Sequence, residues 1–181
     1  TMENSRQIYV ACLASYNAGI LHGRWVDLSY GPDAEDVWAE INEMLDASPE
    51  PGAEEFAIHD SQNLGVVREY ESIKDLTERA AFISEAEDKT GDAYLGAGLL
   101  DNFHGNLNEA RRTLETYSGC FNDAYEYGYY YAESFGDAGP SKFLEGYIDY
   151  KKLGEDLFVN SICIKKAEPT AWQKIHVFDN I

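Results

Sequence analysis

The sequence predicts an α+β protein, built as one ordinary domain or as two to three small ones. Three observations carry this. β-branched and alternating segments lie near both ends, helical periodicity fills the middle, and the chain is short at 181 residues. A hydrophobic fraction of 44% with 13% aromatics is enough for a packed core and excludes a disordered acidic tail.

The elements follow in order. "IYVACLAS", 8–15, is apolar and β-branched and reads as a strand. "YNAG", 16–19, is turn chemistry, with Gly19 free to take a positive φ. "ILHGRWVDL", 20–28, reads as the returning strand. Asp33 is placed to cap a helix over 34–47, which "SPEPG", 48–52, stops. "EEFAIHD", 54–60, alternates and reads as a third strand. Residues 2–61 thus form a first α+β domain. "SIKDLTERAAFISEAE", 72–87, has helical periodicity with Ser72 as cap, and shorter helices are expected over 92–103 and 106–117. These place a helical domain over 62–104. The rest, 105–181, opens with the Tyr-rich "NDAYEYGYYYAESFGD", 122–137. It continues with one or two short helices over 141–158 and ends in a β-hairpin of 159–166 and 172–178 around "AEPTA". No internal repeat or low-complexity tract is visible.

The charge is the outlier. Asp plus Glu total 33 against 14 Lys plus Arg, a formal net charge of −19. Self-repulsion on that scale opposes compactness, and it argues against direct binding of DNA, RNA or an anionic membrane. A partner with a basic surface fits instead. Cys12, Cys120 and Cys163 are far apart and odd in number, without a CxxC pair, so each is expected to be a small buried apolar residue rather than half of a disulfide or a zinc ligand. No apolar run reaches the roughly 20 residues that span a bilayer. No signal peptide precedes the first strand, Thr1 before Met2 reads as a cloning remnant, and a soluble cytoplasmic protein is expected.

The acids fall on helix faces. On a wheel of about 100° per residue, Val37, Trp38, Ile41, Met44 and Leu45 gather on one side of the 34–47 helix, with Asp36, Glu40 and Glu43 on the other. Like charges at that spacing destabilise a helix by roughly 0.2–0.5 kcal/mol per pair. Asp33, Glu35 and Asp36 complement the positive helix N-terminus; Glu43 and Asp46, near the C-terminus, do not. Between Arg24 and Arg68 there are eleven acids and no Lys or Arg. In the Tyr-rich helix Asp123, Glu126 and Glu133 share one side, joined by Asp137 if the helix outlasts Gly136. Phe121, Tyr125, Tyr127, Tyr131 and Phe135, with Ala124 and Ala132, are expected to pack on the other, and Tyr129 and Tyr130 fall toward the acidic stripe. The candidate partner-binding acids are therefore Asp33, Glu35, Asp36, Glu40, Glu43 and Asp46, then Asp75, Glu78 and Glu85, then Asp123, Glu126, Glu133 and Asp137. Duplex DNA carries one charge per about 1.7 Å of axis, so 33 carboxylates at that density would match roughly 56 Å of duplex. A solubilising or salt-adapted surface would also produce such faces.

Catalytic chemistry is not written in the chain. His22, His59, His104 and His176 make neither HExxH nor a close pair, "IHD" at 58–60 is a single His–Asp, and no nucleophile elbow or phosphate loop is present. "LGAGLL", 95–100, reads as close helix packing, and the segment from Asp88 lacks the late Glu of a calcium loop. No cofactor or metal is expected. Abundant carboxylates could host a hydrolase pair, but none is singled out.

"IYVACLASYNAGILHGRWVDL", "EEFAIHD", "NDAYEYGYYYAES" and "YIDYKKLGEDL", in that order, resemble ArdA-type antirestriction proteins over nearly the whole chain. The resemblance implies a non-enzymatic DNA mimic, carried by mobile elements, that binds type I restriction–modification enzymes at the methyltransferase core and blocks access to DNA. It implies an elongated, curved, acidic rod of three small domains and a homodimer joined through the C-terminal domains. The antirestriction motif maps to about 122–135, so that Asp123, Glu126, Tyr130 and Glu133 inherit the label. Where the family usually carries Gly-Arg-Asp-Leu after "YIDY", this chain has Gly154-Glu155-Asp156-Leu157, which adds negative charge. The alternative is an acidic interaction module that sequesters some other basic DNA-binding protein or nuclease.

Overall fold

A computed structural model describes residues 5–136, 142–165 and 174–179. The architecture is α+β, with two three-stranded antiparallel sheets among the described residues. The chain divides into two compact units, one ending at Leu107 and one beginning at Asn108. The first holds both the N-terminal α+β segment and the helices that follow it.

In the first unit β1 (Gln7–Cys12) lies between β2 (Gly23–Asp27) and β3 (Phe56–Gln62). Its alternation buries Ile8 and Val10 completely. The strand expected over 8–15 ends at Cys12, and Leu13–Asn17 forms a short helix, α1. The amide of Leu13 still reaches the Glu55 carbonyl at 3.0 Å, but the chain then coils so that Ile20 N–H meets the Ser15 carbonyl at 2.9 Å. The buried Ser15 hydroxyl bonds Ser48 at 2.8 Å, a tertiary contact that outweighs strand propensity here. Gly19 takes φ +79°, as its turn requires. The expected helix follows Asp33 as α2 (Ala34–Asp46) and lays Val37, Ile41, Met44 and Leu45 inward. Trp38, placed on that face by the wheel, is 43% exposed and meets Phe56 edge-on.

Next, α3 (Ile73–Thr90) starts at Ser72 and outruns its expected end at 87, because the stop is Gly91 in the left-handed conformation at φ 71°. A Cβ on Gly96 of α4 (Leu95–Asn102) would stand 2.7 Å from the Ile83 Cα, so this glycine does allow close packing against α3. Two ion pairs are drawn inside this unit, Arg6 with Glu87 and Arg79 with Glu71.

The second unit continues with α5 (Leu107–Glu115), β4 (Tyr117–Phe121), α6 (Ala124–Glu133), α7 (Lys142–Glu145), α8 (Tyr150–Val159), β5 (Ser161–Lys165) and β6 (Ile175–Asp179). The sheet order is β4-β6-β5. The expected hairpin is β5–β6; its "AEPTA" turn lies outside the described residues. The helix expected over 106–117 stops at Glu115, and β4 was not expected at all. Gly119 at φ 146° and a register shift between Tyr117 and Gly119 break the alternation that would have marked it.

Glycine sets the packing of α6 on α8. A Cβ on Gly128 would stand 2.0 Å from the Tyr150 carbonyl oxygen, and one on Gly154 1.7 Å from that of Ala124. The two backbones therefore touch. Phe121, Tyr127 and Val177 form the core beneath, and Tyr127 stacks on Phe158 at 5.3 Å. This contact corrects the expected tyrosine face: the helix buries Tyr127, Gly128 and Ala132, while Tyr125 and Phe135 are 53% and 52% exposed. The cysteines are corrected too. Cys12 is buried, but Cys120 is half-buried and Cys163 is exposed on β5.

Intrinsic propensity alone would make Gly154→Ala stabilising by up to about 1 kcal/mol. The backbone contact predicts the reverse, a loss of about 1–3 kcal/mol as α8 is pushed from α6. Urea unfolding followed by tyrosine fluorescence decides the sign.

Candidate functional site

The acids of α2 are built into its start. Asp33 Oδ1 accepts from the amides of Glu35 and Asp36 at 2.8 and 2.9 Å, and Asp36 Oδ2 accepts from the Asp33 amide at 3.3 Å. This capping box satisfies N-terminal amides and holds both carboxylates outward. Glu35, Glu43 and Asp46 are exposed and Glu40 is half-buried. Glu43 is answered from outside the helix: Arg24 of β2 meets its Oε2 at 2.6 Å and donates to the Glu40 carbonyl at 3.4 Å. The Tyr30 hydroxyl donates to Glu40 at 3.3 Å. Burial, then the Glu40 carboxylate, push the Tyr30 phenol above its ordinary range.

On α3, Asp75, Glu78 and Glu85 are all exposed. Asp75 sits in the first turn, where the helix dipole favours it, and Lys74 lies 3.8 Å from Glu78. A groove of about 700 Å³ in the same unit is lined by Glu71, Asp75 and Asp101 together with Arg68, Arg79 and His104. Its charges are mixed.

The residues expected to carry the motif lie on α6 and at its N-cap. Asp123 is the N-cap, accepting from the Glu126 amide at 2.9 Å, and Glu126 accepts from the Asn122 amide at 2.6 Å. Both carboxylates remain exposed, as does Glu133. Tyr130 is 47% exposed with its ring against Phe121 at 5.1 Å. Asp137 lies outside the described residues. Glu155 faces Lys151 at 3.8 Å, and Asp156 faces Lys152 at 3.7 Å.

Sequence reasoning missed Tyr150. It is 7% exposed at the start of α8, with Tyr125 and Tyr129 against it at ring distances of 5.8 and 5.2 Å. Its signal was the register of Tyr125 and Tyr129, four residues apart and so on one helix face. The histidines take separate structural places: His22 bonds the Met44 carbonyl at 2.7 Å, His59 meets the Tyr16 ring, and buried His176 bonds the Tyr117 hydroxyl at 3.0 Å. Among the described residues no three His, Cys, Asp or Glu side chains gather as a metal site, and no helix is long and apolar enough to cross a membrane.

Fold and surface together define an acidic α+β protein that carries its charge on outward helix faces. The chain belongs to the ArdA family: the model described as "Antirestriction protein (ArdA)" matches residues 8–166. Membership implies an antirestriction function, in a family of inhibitors rather than a known enzyme class, and with it an interaction with restriction–modification enzymes. Compared with curated proteins one by one, the chain matches none.

The capping geometry separates charge from structure. Asp123→Ala is expected to cost about 1 kcal/mol of stability, whereas Asp123→Asn, which keeps the acceptor, changes it by a few tenths. Glu133→Gln, outside the cap, leaves stability unchanged. Denaturant midpoints of the three variants check this, and equal losses for Ala and Asn would contradict the capping role.

Proposed function

We propose that this protein is a DNA mimic that occupies the DNA-binding channel of a type I restriction–modification enzyme and so protects a mobile element from restriction. The observation that carries this reading is α2. Its carboxylates project outward over a stretch from Arg24 to Arg68 that holds eleven acids and no Lys or Arg, and Arg24 is the basic side chain that reaches that face. Family membership supports it.

The mechanism is competition. Lys and Arg side chains that line a DNA channel are placed to meet phosphates. Fixed carboxylates on a helix meet the same donors, and the counterions released are the same in kind. Asp33, Glu35, Asp36, Glu40, Glu43 and Asp46 on α2, with Asp75, Glu78 and Glu85 on α3, would form one array. Asp123, Glu126 and Glu133 on α6, and Asp137 beyond it, would extend the array. Three small domains in an elongated acidic rod, and a homodimer joined through the C-terminal domains, complete the proposal. No residue has a catalytic role in it.

Each exposed charge contact contributes little, typically 0.2–1 kcal/mol. Single changes such as Glu35→Gln are therefore expected to weaken inhibition less than about fivefold. Neutralising Glu35, Glu40, Glu43 and Asp46 together spares the capping residues and should weaken inhibition much more. The test is competition between the protein and a labelled target duplex for a purified type I methyltransferase core. Stoichiometric displacement whose strength falls linearly on a log–log plot against salt is expected. No displacement at low salt and large excess, or loss of inhibition from one neutral substitution, would overturn the distributed-charge mechanism.

A further inference from the structure

The second unit carries an aromatic cluster, next to Glu133 of the acidic array, that charge mimicry alone does not use. Tyr125, Tyr129 and Glu133 stand four residues apart on α6 and so share one face. Tyr125 and Tyr129 are 53% and 46% exposed, yet both lean on the same ring, Tyr150, at interplanar angles of 82° and 69°. Tyr150 itself is 7% exposed, and its hydroxyl is buried without a hydrogen-bond partner. A buried hydroxyl in that condition calls for an explanation, since such groups are nearly always paired. Burial, then the Glu145 and Glu133 carboxylates, push this phenol above its ordinary range. A phenol is protonated at neutral pH in any case, and its oxygen can accept.

We propose that Tyr125, Tyr129 and Glu133, with the Tyr150 hydroxyl beneath, receive one cationic side chain of the protein partner, an arginine. The inference rests on the DNA-mimic reading for the partner, and on the cluster for the chemistry. An arginine has only donors, so it suits a phenol oxygen and a carboxylate. Its flat guanidinium also lies on tyrosine rings while its edge donates. A lysine ammonium is a compact, strongly hydrated point charge and uses the ring faces less. A small outward turn of Tyr125 or Tyr129 would open the hydroxyl to the incoming group. The phosphates of DNA offer carboxylate-like charge but no such ring faces. This contact would thus be specific to the mimic, and it would anchor one point of an otherwise diffuse charge array.

Two measurements test it. In the first, the full chain labelled with ¹³C-tyrosine is titrated with N-acetyl-arginine amide, and separately with N-acetyl-lysine amide, at constant ionic strength. Saturable shifts centred on the Tyr125, Tyr129 and Tyr150 rings, larger for arginine, are expected. Shifts spread evenly over the tyrosines of both units, equal shifts for the two cations, or none, would overturn the site. This arm decides the question even if the protein fails to displace DNA. In the second, the Tyr125→Leu/Tyr129→Leu double variant is compared with Tyr125→Phe/Tyr129→Phe in the methyltransferase competition. The Leu pair should inhibit about three- to tenfold less well, and the Phe pair, which keeps the ring faces, should stay near wild type. The salt slope should not change, because no charge is lost. Inhibition by a folded Leu pair, verified by its unfolding midpoint, equal to that of wild type would overturn the anchor while leaving charge mimicry standing.

Discussion

A carboxylate cannot be buried unpaired without a large penalty, and this chain has 33 acids to only 14 bases. Most of its acids must therefore face water, and the helices α2, α3 and α6 that carry them bury one side and expose the other. Where acids come inside, they take an arginine with them or bond the backbone: Glu87 with Arg6, Glu71 with Arg79, and Asp92, 4% exposed, accepting from the Tyr94 amide. Two of the scarce arginines are thereby committed to the first unit's interior. The outer faces are left more negative than the bulk ratio suggests, and the surface relevant to function follows from the rules of burial.

The outward carboxylates are not loose charges. Asp33 and Asp36 close the start of α2, and Asp123 and Glu126 close the start of α6. A capped carboxylate accepts amides through part of its oxygen surface and shows the rest to solvent, so its position is fixed by backbone geometry. Fixed position matters for a surface that must meet donors arranged for phosphates, because less side-chain freedom is lost on binding. The same positions favour the helix through its dipole, which offsets some of the like-charge repulsion along each stripe. Arg24 relieves Glu43 where the dipole does not.

Much of the fold was legible in the sequence because its signals are local. Asp33 and Ser72 announced their helices, "SPEPG" ended the first, and the β-branched run of β1 and the alternation of β3 were plain. The α+β class and the acidic helix faces followed from periodicity. What was not legible depended on tertiary contact. Leu13–Asn17 coils where strand propensity continues, around the Ser15–Ser48 bond. β4 hides behind Gly119. The wheel placed Tyr125 and Phe135 inside, since it assumes that the largest side chains define the buried face. Gly128 and Gly154 define it instead, and no wheel shows which helix a glycine will meet. Tyr150 escaped for the same reason: its place under two α6 tyrosines arises only once the backbones touch.

The central claim is that the exposed carboxylates of α2, α3 and α6 are themselves the binding surface. Carboxyl footprinting tests it most directly: the protein is modified with a carbodiimide and glycine ethyl ester, free and bound to a type I methyltransferase core, and labelling is read by mass spectrometry. The account predicts strong protection of Glu35, Glu40, Glu43, Asp46, Glu78, Glu85 and Glu133 in the complex. Unchanged labelling at these residues in a complex that nevertheless forms would contradict it.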